Sequence, residues 1–233
     1  MTFRALSPQS VHGRQAEARR NDRAVLDAAR DVFAVQGADA PISAVAERAG
    51  VGMGTLYRRY GSKTELLQRL CVMAMEQAIE AADDALGADD PWAGLCGYIR
   101  ACVEMRSGAL ASLAGQIEAT DEMRAAARRS MTRTREVVDR ARRAGRLRAD
   151  VYPLDITWLI EQFSRRPPSA PGAAAPEEER NKEERDEEER DEEERNVRAR
   201  LLGIALDGLR APAPAPLPGR PPSLERYVDR WSI

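Results

Sequence analysis

Apolar positions along this chain recur at spacings of three and four, the period of an α-helix, and nowhere alternate singly over the length of a strand. From Asn21 onward Leu26, Ala29 and Phe33 fall at i, i+3 and i+7, with Val25, Ala28 and Val32 beside them, and Gly37 ends the segment. A short segment from Pro41 to Ala49 follows, then Gly50, then a second short segment from Thr55 to Tyr60. Ser62 is placed to cap a longer helix that starts at Lys63 and runs through Leu66, Leu67, Leu70, Ala74 and Ala78 toward Leu86. Gly87 and the Asp90-Pro91 pair close it and open another, in which Trp92, Leu95, Ile99 and Val103 share a face. Thr120, Asp121 and Glu122 mark the next start, and Arg140, Arg142 and Arg143 before Gly145 mark its end, each charge on the side the helix dipole favours. Pro153 opens a helix holding Leu154, Trp158, Leu159, Gln162 and Phe163. Val197, Leu201, Leu202, Ile204, Ala205, Leu206 and Leu209 give a last helix a wide apolar face, ended by APAPAPLPG. The expected fold is all-α.

Three stretches fall outside this pattern. Residues 1–20 lack periodicity and are expected as a mobile N-terminal arm. Residues 165–176, RRPPSAPGAAAP, cannot be one continuous helix because prolines interrupt them, and residues 211–233 read as a proline-rich tail. Between 177 and 195 a five-residue unit repeats, with arginines at 180, 185, 190 and 195; five residues turn a helix by about 500°, so no single stripe forms. Its i, i+4 pairs of acid and arginine allow a solvated helix, and its composition equally allows disorder. A solvated spacer or helical extension is the plain expectation, and a docking site for a basic partner the sharper one.

Composition narrows the class. With 43% hydrophobic residues in a chain of 233, a sizeable core can form. No run nears the roughly 18 uncharged apolar residues of a membrane span, and the first residues lack the apolar run of a secretory signal, so a cytoplasmic protein with no membrane partner is expected. Cys71, Cys96 and Cys102 are too few and too scattered for a metal knuckle or disulfide framework. The net charge of −2 conceals an asymmetry: residues 177–195 hold 13 acidic and 5 basic side chains, while residues 1–70 hold 11 basic and 7 acidic. The acidic run is separable, which leaves nucleic acid open as a partner.

Residues 41–67, PISAVAERAGVGMGTLYRRYGSKTELL, carry the chemistry. Two short helices joined through Ala49, Gly50 and Val51 make a helix-turn-helix, the glycine taking a backbone angle that a side chain resists. Val45, Ala46, Ala49, Val51 and Leu56 are spaced to bury the crossing. Met53, Gly54, Thr55, Tyr57, Arg58, Arg59 and Tyr60 are left on or near the side where a recognition helix meets the major groove.

The tract AERAGVGMGTLYRRYGSKTELL resembles the AGVSxGTLYxxFxxKxxL signature of the tetracycline-repressor (TetR) family of transcriptional regulators, and its VGMGTLYRR resembles a VGxGTLYRR subgroup. GRLRADVYPLDI and LLGIALDGLRAP look like the last third of that subgroup's regulatory domain. The resemblance implies a three-helix DNA-binding domain over 21–68 and a helical ligand-binding and dimerisation domain over 69–210, with a foreign insertion at 165–195. It implies phosphate contacts from Thr55, Tyr57 and Lys63, all donors suited to phosphate oxygens. Arg58 is the candidate for a guanine edge, with a further phosphate contact as the plainer role. Gly54, like Gly52, allows close approach; Met53 or Tyr60 could meet a thymine methyl, Tyr60 equally packing on the first helix. Two departures stand out besides the insertion: Tyr60-Gly61 replaces a usual Phe-Pro, expected to loosen the turn before Lys63, and Pro41 replaces a capping Ser or Thr.

For the regulatory half the resemblance implies a homodimer through the last two helices, bound to a palindromic double-stranded operator and released by a small-molecule effector. Candidate pocket residues are Trp92, Tyr98, Cys102, Met105, Gln116, Trp158, Gln162 and Phe163; core packing is the plain alternative for each. His12 has no partners at metal-ligand spacing, so neither a metal nor another cofactor is expected. No nucleophile elbow, phosphate loop or paired carboxylates in an apolar setting argue for an enzyme. Two other readings remain: a redox sensor on the same scaffold using Cys96 and Cys102, and a helical interaction protein using the charged run.

Overall fold

The computed structural model describes residues 8–165 and 177–230, with side chains from residue 22 onward apart from residues 112, 177–188 and 191. The described chain is all-helical, with one isolated bridge between Leu147 and Arg210. The elements are α1 (Pro8–Gln36), α2 (Ile42–Arg48), α3 (Met53–Tyr60), α4 (Lys63–Gly87), α5 (Pro91–Glu104), a 3-10 segment (Ser107–Leu113), α6 (Asp121–Arg143), α7 (Pro153–Ser164), α8 (Glu177–Gly208) and α9 (Leu224–Asp229).

The punctuation read from the sequence sets most boundaries. Gly37 follows α1 at φ +76° and donates back to the Phe33 carbonyl. The hydroxyls of Ser62 and Thr120 accept from Glu65 and Met123 backbone N–H groups, and the Asp90 carboxylate from Trp92, each satisfying a free donor at a helix start.

Two apolar clusters divide the molecule, and α4 runs through both. The first joins α1, α2 and α3 to the early part of α4 through Phe33, Val45, Leu56, Leu66 and Leu70, with Leu113 and Met123 closing it from the other side. The second collects Ala78, Ala81, Ala82 and Ala85 of α4 with Leu95 and Ile99 of α5, Val137 and Val138 of α6, and Ile156 and Ile160 of α7. Bulky residues along α4 give way to alanines, and α5 lies close there: a Cβ on Gly94 would sit 2.4 Å from the Ala85 carbonyl oxygen. Arg140 of α6 donates to the carbonyls of Ala85 and Ala88, covering the end of α4.

Two expectations change, and one open alternative is settled. Residues 8–20, expected as an arm, extend α1 instead, with Pro8 as its first residue. The repeat at 177–195 is helical and continuous with the apolar final helix, forming α8, while 166–176 lie outside the described residues. The expected tail contains α9, capped by the Ser223 hydroxyl. Its approach is fixed by Arg148, which grips Asp150 at 2.6 and 2.9 Å and the Ala215 carbonyl at 2.6 Å, while Asp150 accepts from the Leu217 N–H at 2.7 Å.

Candidate nucleic-acid interface

The reading head is built from α2, its turn and α3. Ala49 N–H bonds to Val45 O, Gly50 N–H to Glu47 O, and Val51 N–H to Ala46 O at 3.0 Å, which closes α2 with Gly50 at φ +64°. Val45, Ala46 and Leu56 are buried at the crossing. Gly52 then precedes α3 in extended conformation with no side-chain cap.

Around α3, Leu56 and Tyr60 form the buried edge, and Gly54, Thr55 and Arg58 lie on the exposed side, Arg58 about 180° away by helical geometry. Tyr57 is 46% and Met53 37% exposed. The Arg58 guanidinium donates to the Thr55 hydroxyl at 3.2 Å, so the two predicted contacts are held as a pair. Lys63, the first residue of α4, is half-buried with its ammonium 5.8 Å from the Phe33 ring centroid. A cation is thus fixed beside the end of α3.

Tyr60 requires a correction. It is 4% exposed, and its hydroxyl donates to Asp22 on α1 at 2.5 Å, so it cannot reach a thymine methyl. Burial, then the Asp22 carboxylate, pushes the phenol above its ordinary range. Arg59 approaches the same carboxylate at 3.6 Å, and the pair fastens α3 to α1. Nor is the following turn loosened: Gly61 donates to Tyr57 O at 2.9 Å with φ +62°, and a Cβ there would lie 2.7 Å from Glu65 Oε2.

The eight regulatory candidates fall in different surroundings. Trp92 is buried, with the Arg210 guanidinium 4.9 Å from its ring centroid. Tyr98 is buried and shares a 2.7 Å hydrogen bond with Thr134, beside the buried Cys102. Met105 offers its carbonyl to Arg30, and Gln116 is exposed at the surface. On α7, Trp158 packs against Tyr227 of α9, whereas Gln162 and Phe163 line a cleft of about 550 Å³ with Val197 and Leu201 of α8. Trp158 and Phe163 are five positions apart, about 140° around a helix, so they serve opposite flanks.

Residues 25–70 match the family described as bacterial regulatory proteins, tetR family. This stretch is a tetR-family DNA-binding head. Solved structures agree with the wider architecture. A TetR transcription regulatory protein from Mycobacterium vanbaalenii is 26% identical with a TM-score of 0.55, over 84% of this chain and 99% of that one. A TetR transcriptional regulator from Streptomyces coelicolor, at 22% identity and a TM-score of 0.56 over 82% and 99% of the two chains, shares the fold. So does a tetR-family regulatory protein from Rhodococcus RHA1, at 19% identity and 0.51 over 81% and 96%. No curated relative matches the chain at a significant level.

Sequence reasoning missed the residues that join this TetR head to the rest of the molecule. Arg30 on α1 is 7% exposed and donates to Met105 O at 2.7 Å and to Gln77 Oε1 at 3.0 Å. An arginine on the inward side of α1, three positions from Asp27, was the available signal. Glu161 and Arg230 pair at 3.0 Å across 69 positions, which no local spacing reveals. The thiols offer little to a redox sensor: all three cysteines are buried, and burial pushes Cys71 and Cys102 up to about 12 and raises Cys96. No group of three or more His, Cys, Asp or Glu that could hold a metal occurs among the described residues, and no described helix is long and apolar enough to cross a membrane.

Proposed function

We propose that this TetR-family protein is a cytoplasmic, homodimeric, ligand-responsive repressor that leaves a palindromic operator when a small-molecule effector binds its regulatory half. One observation carries the reading: α3 exposes Gly54, Thr55, Tyr57 and Arg58 on one side while Leu56 and Tyr60 lock its other side to the head. Thr55, Tyr57 and Lys63 supply phosphate donors, Arg58 is the candidate for a guanine edge, and Met53 is left as the candidate apolar contact.

The α8 surface supports the dimer. Val197, Leu201 and Ile204 recur at i, i+4 and i+7 and are 51%, 52% and 61% exposed, while Leu202 and Leu206 on the other side enter the second core. A helix apolar on two faces needs a second cover. Two copies joined through α7 and α8 would carry two heads, which a duplex accepts when they are one helical turn, about 34–36 Å, apart. An effector that favours another spacing lowers operator affinity by its differential affinity for the two states.

The test is selection of duplexes bound by the full chain, followed by titration in rising salt. Enrichment of a palindrome and affinity falling steeply with salt are expected. Absence of any enriched site would refute the reading.

A further inference from the structure

Among the described residues Glu161 is the one buried carboxylate, only 2% exposed. It lies on α7 where the chain passes very close: a Cβ on Gly108 would sit 2.5 Å from the Glu161 Cα, so the 3-10 segment rests directly on this turn of helix. Both carboxylate oxygens are engaged by one guanidinium, Arg230 Nη1 at 3.2 Å and Nη2 at 3.0 Å. The same guanidinium carbon stands 4.3 Å from the Trp158 ring centroid and 4.4 Å from that of Tyr227. The two rings meet edge to face at 6.1 Å. A planar cation is thus held by a bidentate carboxylate and two aromatic rings, the combination that selects organic cations over neutral molecules.

The occupant belongs to the chain itself, carried at the end of a short helix. α9 has six residues and none is buried; Leu224 and Val228 are 48% and 52% exposed. The guanidinium is also imperfectly satisfied, since its Nε is buried without a hydrogen-bond partner among the described residues.

We propose that Trp158 and Glu161 form a binding site for a planar organic cation, a guanidinium or amidinium on an apolar body, and that Arg230 fills it as a built-in competitor. This rests on the reading of the chain as a ligand-responsive regulator and gives its effector a chemical class. The site is also placed to matter. Gly108, packed on Glu161, begins just past Met105 and Arg106, which hold Arg30 and Asp31 of the head. A cation that displaces Arg230 frees α9 and changes what bears on the segment leading to that junction.

Phenylguanidine and its neutral counterpart phenylurea test the site by calorimetry on the full chain, comparing wild type with Arg230→Ala and Glu161→Gln. Removing the competitor should tighten phenylguanidine binding by about tenfold or more, because the wild-type site is free only a fraction of the time. Glu161→Gln should abolish binding, and phenylurea should bind none of the three. Should Glu161→Gln fail to fold by circular dichroism, wild type against Arg230→Ala still decides. Equal affinities in those two, or equal binding of the urea, would overturn the site. Titration of the selected duplex separates the two readings: DNA binding with no gain in cation affinity at Arg230→Ala refutes the cation site alone. Cation binding with that gain but without DNA binding upholds the site and refutes the regulator.

Discussion

Arg30 on α1 donates from Nη1 to the carbonyl oxygen of Met105 at 2.7 Å and so ties the reading head to the end of α5. Its Nη2 reaches Gln77 on α4 and Asp27 on its own helix, both at 3.0 Å, while Arg106 approaches Asp31 at 3.6 Å from the other side. Burial lowers the Arg30 pKa from its ordinary value, opposed by the nearby Asp27 and Asp31 charges. Arg30→Met keeps the stem and removes the donors, leaving Met105 O and Gln77 Oε1 unmatched. It should cost about 1–3 kcal/mol in urea unfolding, and should also weaken the response of DNA binding to an effector. Unchanged stability would show the link to be incidental.

Substitutions on the exposed side of the head should separate position from identity. Lys63→Ala should weaken binding to all duplexes alike and reduce the salt slope by about 1. Arg58→Ala should cost about 1–3 kcal/mol and relax preference at one base position. Anisotropy titrations against the selected site and its single-base variants read both, and a uniform loss from both changes would remove Arg58 from base reading.

Two glycines should respond to alanine differently. Gly50 has φ +64° and open space around its Cβ position, so Gly50→Ala should cost only the left-handed penalty of about 1–2 kcal/mol. Gly108 faces the Glu161 backbone at 2.5 Å, so Gly108→Ala must push α7 from the 3-10 segment, an overpacking cost of about 1–3 kcal/mol or more. Chemical denaturation orders them. The Gly108 variant should additionally disturb the Trp158 environment in fluorescence, and the Gly50 variant should not.

Asp150 gives a pH dependence with a definite sign. Arg148 first, then the Leu217 N–H, hold its carboxyl well below the usual carboxylate range. A depressed folded-state pKa contributes stability present above the unfolded value, about 3.9, and lost as pH falls from there through the folded value. Asp150→Asn should therefore flatten the acid limb of stability below about pH 4 without altering the slope near neutrality. Thermal melts across that range check it.

The buried thiols should be silent in the native protein. Cys71 and Cys102, pushed by burial up to about 12, remain protonated at pH 7–8 and shielded, so a thiol reagent should label all three cysteines only after denaturation. Rapid native labelling with altered DNA binding would revive a redox role.

Much of the head was legible because local rules and tertiary packing agree there. Phe33, Val45 and Leu56 sit at helical spacing, Gly50 marks the turn, and Ser62 caps the next helix. Tyr60 was harder, since spacing places it at the boundary of the exposed side and only the distant Asp22 decides that it turns inward. The extension of α1 and the charged stretch of α8 carry no apolar stripe, so periodicity was silent about them. α9 was masked by the prolines before it, although Ser223 ahead of Leu224 and Glu225 was a readable helix start. The pocket residues scattered because facing on α5 and α7 depends on which neighbour each side meets. Trp158 meets Tyr227, whereas Phe163 meets the cleft against α8.

The most direct test is the stoichiometry and spacing of protein on a selected duplex, read together by sedimentation and footprinting with wild type and a Tyr57→Phe, Lys63→Ala variant. Two copies on one palindrome, with protected major grooves about 10 base pairs apart and protection lost in the variant, is the expected result. A single copy bound without a preferred sequence, equally by both proteins, would contradict it.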